Sequence, residues 1–154
     1  MKKIAKDKGF TLIEILVVIG IIAVLATIVI IAINPARQFA QARNTQRISN
    51  LNSILNAVGQ NLADNKGVWT CGSVTIGTPA ASSTIGTTVG ITYADLGSCL
   101  VPKYIPSSIP VDPTDGTTLN TKYEISVDSA TGRYMLCAQN TEANLGNPEI
   151  CVSR

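Results

Sequence analysis

The chain has 154 residues, 45% hydrophobic and only 14% charged, which is too apolar for a disordered chain and long enough for one domain plus an anchor. Its formal charge of +2 is a local effect: residues 1–9 hold Lys2, Lys3, Lys6 and Lys8 against Asp7, and the remainder is close to neutral. Charge therefore gives no reason to expect a nucleic-acid-binding domain, and with no histidine, nucleophile elbow or phosphate loop the sequence does not read as an enzyme or as the holder of a cofactor.

From Ile15 to Ile33 there is no charged residue, and Gly20 and Thr27 are the only interruptions of the apolar run. At ~1.5 Å per residue this run makes a helix of ~28 Å, close to the ~30 Å hydrocarbon core of a bilayer, so a transmembrane helix is expected. Glu14 stands just ahead of it. A carboxylate at a bilayer centre costs about 2.5–3.5 kcal/mol and less near the interface, so such a residue either snorkels or serves a function. A secretory signal peptide is cut after its apolar core at small residues. Here Asn34-Pro35-Ala36-Arg37 offers no such site, and the segment is expected to stay in the mature protein. The four lysines favour a cytoplasmic N-terminus, although Arg37, Arg43 and Arg47 beyond the span make the bias slight. Pro35 cannot donate to the Ile31 carbonyl, which predicts a kink or opening near residues 31–34. Gly20 either permits close helix approach or weakens the helix locally.

The stretch Lys8-Gly9-Phe10-Thr11-Leu12-Ile13-Glu14, with the Val/Ile/Leu run behind it, resembles the prepilin signal of type IV pilins and the related type II secretion pseudopilins. The resemblance covers residues 2 to about 35. It implies cleavage between Gly9 and Phe10 by a prepilin peptidase, N-methylation of Phe10, and pairing of Glu14 with a neighbour's Phe10 amine as subunits assemble. It implies a helix that loosens between Gly20 and Pro35 in a filament. The implied fold is α+β: one long N-terminal helix, half transmembrane and half amphipathic, packed on a small antiparallel β-sheet headpiece. The chain then divides into a leader (1–9), a hydrophobic helix (10–34), an amphipathic helix (35–66) and a β-rich headpiece (67–154). The implied precursor sits in the inner membrane with its N-terminus cytoplasmic, and the assembled form is an extracellular filament. Its implied partners are copies of itself, minor pilins, the prepilin peptidase, the pilus assembly machinery and, before assembly, membrane lipid. A pseudopilin serving protein export is the alternative, and a monomeric membrane-anchored domain is a more distant one.

After Pro35 the pattern becomes that of a soluble amphipathic helix. Ile48, Leu51, Leu55, Val58 and Leu62 form one helical stripe, widened by Ile54. Arg43, Arg47, Asn50, Asn61 and Asp64 are assigned to the opposite, solvated face. Arg37, Arg43 and Arg47 suit lipid headgroups and later subunit contacts better than DNA, so nucleic acid is not expected as a partner. Lys66-Gly67 is a helix stop.

Beyond Gly67 the composition turns to Thr, Ser, Gly and Val. Residues 77–90 read as a loop with a short strand, and residues 94–101 as a short helix ended by Pro102. Residues 104–116 resemble a proline-and-aspartate stretch of major pseudopilins and related small pilins, and in those pseudopilins a nearby loop binds calcium. Asp112, Asp115 and Asp128 would be the oxygen donors here, but Asp-Pro-Thr-Asp-Gly is equally a good turn and no EF-hand spacing occurs, so no metal site is assigned. Tyr123–Val127 and 133–139 alternate across a turn at 128–132 and predict a hairpin. The cysteines Cys71, Cys99, Cys137 and Cys151 all lie beyond the membrane segment and form no CxxC pair. Four cysteines allow three pairings, and Cys71–Cys99 with Cys137–Cys151 is favoured because it closes the shorter loops. The C-terminal pair would enclose a loop like the disulfide-bounded loop of many type IV pilins.

Overall fold

The computed structural model describes residues 9–154 except 73, 75, 77–80, 88–92 and 147. The predicted leader therefore lies mostly outside the described residues, as does part of the predicted loop at 77–90. Two compact units are present, Met1–Gln38 and Phe39–Arg154.

The first unit contains helix α1 (Leu12–Ala32), which buries none of its side chains in the protein. Its 21 residues extend ~31 Å, and its mean hydropathy of 3.3 is that of a membrane span. Gly20 lies within regular helix, with open space where a Cβ would stand. The expected long helix is interrupted at the predicted opening near residues 31–34 and forms two helices. α1 ends at Ala32, Ile33 is extended, and α2 (Pro35–Asp64) begins with Pro35 as its first residue. Proline has no N–H to bond back to α1, and it disfavours helical backbone at Asn34. Asn34 then caps α2, accepting a bond from the Arg37 backbone N–H at 3.2 Å.

The second unit packs α2 against a five-stranded sheet of order β2-β1-β3-β4-β5. The strands are β1 (Ser83–Ile85), β2 (Tyr93–Ala94), β3 (Tyr123–Val127), β4 (Tyr134–Ala138) and β5 (Cys151–Ser153). Three pairings are antiparallel; β1–β2 is parallel, so the sheet is mixed rather than purely antiparallel. A four-residue helix, α3 (Gly97–Leu100), follows β2, and it is shorter than expected because Ala94 belongs to the sheet. The predicted β3–β4 hairpin forms, pairing Ile125 with Leu136, and Asp128 closes its turn by accepting from Ala130 N–H and Thr131 Oγ1.

Leu51, Ile54, Leu55 and Val58 of α2 form the core with Ile85, Tyr123, Ile125 and Leu136 of the sheet and with Leu96 and Leu100 around α3. Full burial of one such aliphatic side chain stabilises by about 1.5–3 kcal/mol. Ile54, placed at the edge of the predicted stripe, is fully buried, whereas Ile48, placed inside it, is 46% exposed. The helix stops after Asp64, with Lys66 and Gly67 both left-handed and Gly67 N–H returning to the Leu62 carbonyl at 2.7 Å. Asn61 then fastens the reversal by bonding Thr70 from both ends of its amide.

Two disulfides staple this unit. Cys71–Cys99 ties the segment after α2 to α3, and Cys137–Cys151 crosses directly between paired residues of β4 and β5.

Candidate functional site

Gly9 and Phe10 precede α1 without regular structure, and Phe10 is 84% exposed. Thr11 is the N-cap. Its hydroxyl accepts from Glu14 N–H at 3.3 Å, and the Glu14 carboxylate accepts from Thr11 N–H and Thr11 Oγ1, each at 2.8 Å. This is a capping box, in which two groups left unbonded at a helix start satisfy each other. Glu14 is thus held one turn from the Gly9–Phe10 bond, within the first turn of the apolar helix. The Thr-x-x-Glu spacing before an apolar run is a legible helix-start signal, yet the sequence reading assigned Thr11 no part. The cysteines lie in the second unit, and Pro35 opens α2.

A second polar centre lies on the face of α2 that the sequence predicts to be solvated. Arg47, expected on a solvated face, is buried. Its Nε donates to Asp112 Oδ2 at 2.7 Å, its Nη1 to Glu142 Oε1 at 2.6 Å and to Asn44 Oδ1 at 2.8 Å, and its Nη2 to Thr114 Oγ1 at 2.9 Å. Arg43 grips the same Glu142 with two bonds of 2.7 and 2.6 Å. Asn50, also expected outside, is buried and donates to the Val111 carbonyl and to the Tyr123 hydroxyl, each at 2.9 Å. Asn61 is a third buried residue of that supposedly solvated face.

The electrostatics follow from these contacts. Burial works against the Arg47 charge, but the hydrogen bonds it donates to Asp112 and Glu142 outweigh it and raise its pKa. Burial likewise opposes the Asp112 charge, and Arg47, Asn140 and the Thr114 backbone overcome it, holding that carboxyl below its usual range. The Arg43 guanidinium, with help from Arg47 against the cost of burial, brings Glu142 down to about 2. Among the described residues no buried side-chain nitrogen or oxygen lacks a partner.

The three aspartates considered as oxygen donors serve other contacts. Asp112 is engaged by Arg47, Asp115 accepts from Asn140, and Asp128 closes the β3–β4 turn. Glu149 lies near Cys137 and Cys151, but those thiols are joined to each other and are not free to hold a metal.

Residues 4–30 match the Prokaryotic N-terminal methylation motif family. The chain carries a prepilin-type N-terminus. That signature is common to type IV prepilins and pseudopilins, and it encloses Gly9, Phe10, Thr11 and Glu14 together with most of α1. No curated protein and no solved structure matches the chain. The prepilin-type match stops before α2.

Proposed function

We propose that this protein is a pilin, the structural subunit of a type IV pilus filament. The observation that supports the reading is the methylation motif over residues 4–30, a span that includes Gly9, Phe10 and Glu14 and most of an apolar helix with no buried side chain. A prepilin peptidase cuts between Gly9 and Phe10 and methylates the new amine. The precursor is held in the inner membrane by α1, single-pass, with the leader on the cytoplasmic side. On extraction α1 loses its lipid, and copies of α1 cover one another in the filament core. Glu14 then answers the positive amine of a neighbour's Phe10, a charge pair strengthened by the apolar surroundings. The pilus assembly machinery and minor pilins are the further partners, and adhesion, motility or DNA uptake are the uses such a filament serves.

The headpiece features that favour a pilin over a type II secretion pseudopilin are the Cys137–Cys151 loop and the engagement of Asp112 by Arg47 in place of a cation. The test is the mass and N-terminal sequence of protein taken from cells with a working prepilin peptidase. N-methyl-Phe10 at the start of the chain is the expected result. A chain beginning at Met1 would overturn the reading. Electron microscopy of surface filaments, against a short envelope-confined assembly, separates pilin from pseudopilin.

A further inference from the structure

We propose that the Cys137–Cys151 disulfide is a thiol-exchange site that takes thiols carrying positive charge, and that Cys71–Cys99 is closed to them.

The two disulfides have opposite surroundings. Cys71 is 3% exposed, and Cys99 packs against the core. Cys137 and Cys151 are paired residues of β4 and β5, and they are half-buried and exposed respectively. Leu136 and Ala138, on either side of Cys137 in sequence, are buried in the core. Successive side chains of a strand point to opposite faces, so Cys137 and its partner Cys151 face away from that core. β5 is also the last strand of the sheet.

Exchange begins when a thiolate reaches one sulfur of a disulfide, so access decides which of the two can react. The incoming thiolate bonds to Cys151 Sγ as the S–S bond breaks, and Cys137 Sγ leaves as a thiolate and takes a proton from water. A second thiolate then attacks the external sulfur of this mixed disulfide and releases the Cys151 sulfur, which is protonated in turn. Two external thiols become one disulfide, and Cys137 and Cys151 become two thiols.

The strand pair is held on both sides of the reacting bond. Ala138 N–H donates to the Ile150 carbonyl at 2.9 Å, and Tyr134 and Arg154 exchange two backbone bonds of 3.0 Å. Glu142, within the loop that the disulfide closes, is gripped by Arg43 and Arg47. The freed thiols therefore stay side by side, and oxidation rejoins them.

Charge selects the thiol. Glu149 Oε1 lies 3.5 Å from Cys151 Sγ. Glu124 is the register partner of Cys137 on β3, and its carboxylate accepts only from the uncharged Ser82 and Gln139 among the described residues. Neither carboxylate has an ion pair among the described residues, and Arg154, the cation nearest Cys151 in sequence, bonds to Asn56 of α2. Two carboxylates beside a disulfide repel an anionic thiol and attract a cationic one.

The test exposes the full chain in detergent to cysteamine or to 2-mercaptoethanesulfonate, at equal thiolate concentration and at low ionic strength, where such charges are least screened. Freed cysteines are alkylated and mapped by peptide mass. The expected result is labelling of Cys137 and Cys151 while Cys71 and Cys99 stay joined, with cysteamine several-fold faster. Glu149→Gln, a change at an exposed side chain, is expected to bring the two rates closer together. Opening of Cys71–Cys99 at the same rate, or no opening of either disulfide short of unfolding, would overturn the exchange site. A rate ratio unchanged in Glu149→Gln would overturn the selection by charge.

Discussion

Arg47 and Asp112 form an ion pair of 2.7 Å with 1% and 0% of their side chains exposed, and they join α2 to a loop 65 residues further along the chain. A buried pair of this kind is costly to form, because both ions lose water, and costlier to break from one side. Arg47→Ala would leave Asp112 and Glu142 without their central partner. The expected loss is about 3–5 kcal/mol. Thermal or denaturant unfolding of the detergent-solubilised protein measures it. Arg47→Met combined with Asp112→Leu should lose much less than Arg47→Ala, since no charge is stranded at Asp112. A double variant as unstable as the single one would show that the pair does more than compensate itself.

The same network sets an acid limit. Glu142 has a folded pKa of about 2 against an ordinary 4.5, because Arg43 and Arg47 hold its charged form. A depressed carboxyl binds fewer protons folded than unfolded. Its contribution is therefore fully present above about pH 4.5 and lost as pH falls towards 2. Asp112, also lowered, adds a loss of the same sign. Melting temperature measured against pH should fall steeply on the acid side. Glu142→Gln should start lower at neutral pH and fall less steeply between pH 4.5 and 2.

Gly116 shows how tightly the Asp112 loop is drawn in. A Cβ at this position would collide with the backbone of Asp112 and crowd the Thr121 carbonyl, while Gly116 N–H donates to the Asp112 carbonyl at 3.1 Å. Gly116→Ala must push backbone away from the Arg47 centre. Overpacking of this sort costs about 1–3 kcal/mol. The variant should melt at lower temperature and retain both disulfides. A melting temperature equal to wild type would mean that the loop yields freely and does not hold Asp112 in place.

The headpiece is only half legible in the sequence. The apolar run of α1, the stop at Lys66-Gly67 and the β3–β4 hairpin depend on neighbours within a few residues, and each was readable. Arg47 and Asn50 were misplaced because their partners are remote: Glu142 lies 95 residues beyond Arg47, and Tyr123 lies 73 beyond Asn50. A charged residue on a helix reads as solvated until the fold brings a carboxylate to it. Ile48 was misplaced for a related reason, since a 3-4 stripe fixes a helix face only to within one residue, and Ile54 lies nearer the middle of the buried side. The strands β1, β2 and β5 are two or three residues long and have no periodicity to read. At the N-terminus, by contrast, both the motif and the Thr11–Glu14 cap are local in sequence.

That cap allows two roles of Glu14 to be told apart. In the uncut chain its carboxylate is bonded to Thr11, which is sufficient to explain a glutamate at this position as a helix start. The proposed assembly role requires more, namely a charge available to a neighbour's Phe10 amine. Thr11→Val removes the hydroxyl that accepts from Glu14 N–H and one of the two donors to the Glu14 carboxylate, yet it keeps the charge. Loss of an N-cap side chain costs about 0.5–2 kcal/mol of helix stability. Glu14→Ala removes the carboxylate, with its half of the capping box and its charge, and leaves the Thr11 hydroxyl bonded to the residue-14 N–H. If capping were the whole function, the two variants would reduce filament yield alike. The expected result is that Thr11→Val retains most filaments and Glu14→Ala loses nearly all, with both still cut at Gly9. Filament counts by electron microscopy, paired with N-terminal mass analysis, read the two steps separately. Equal yields from the two variants would reduce Glu14 to a helix cap.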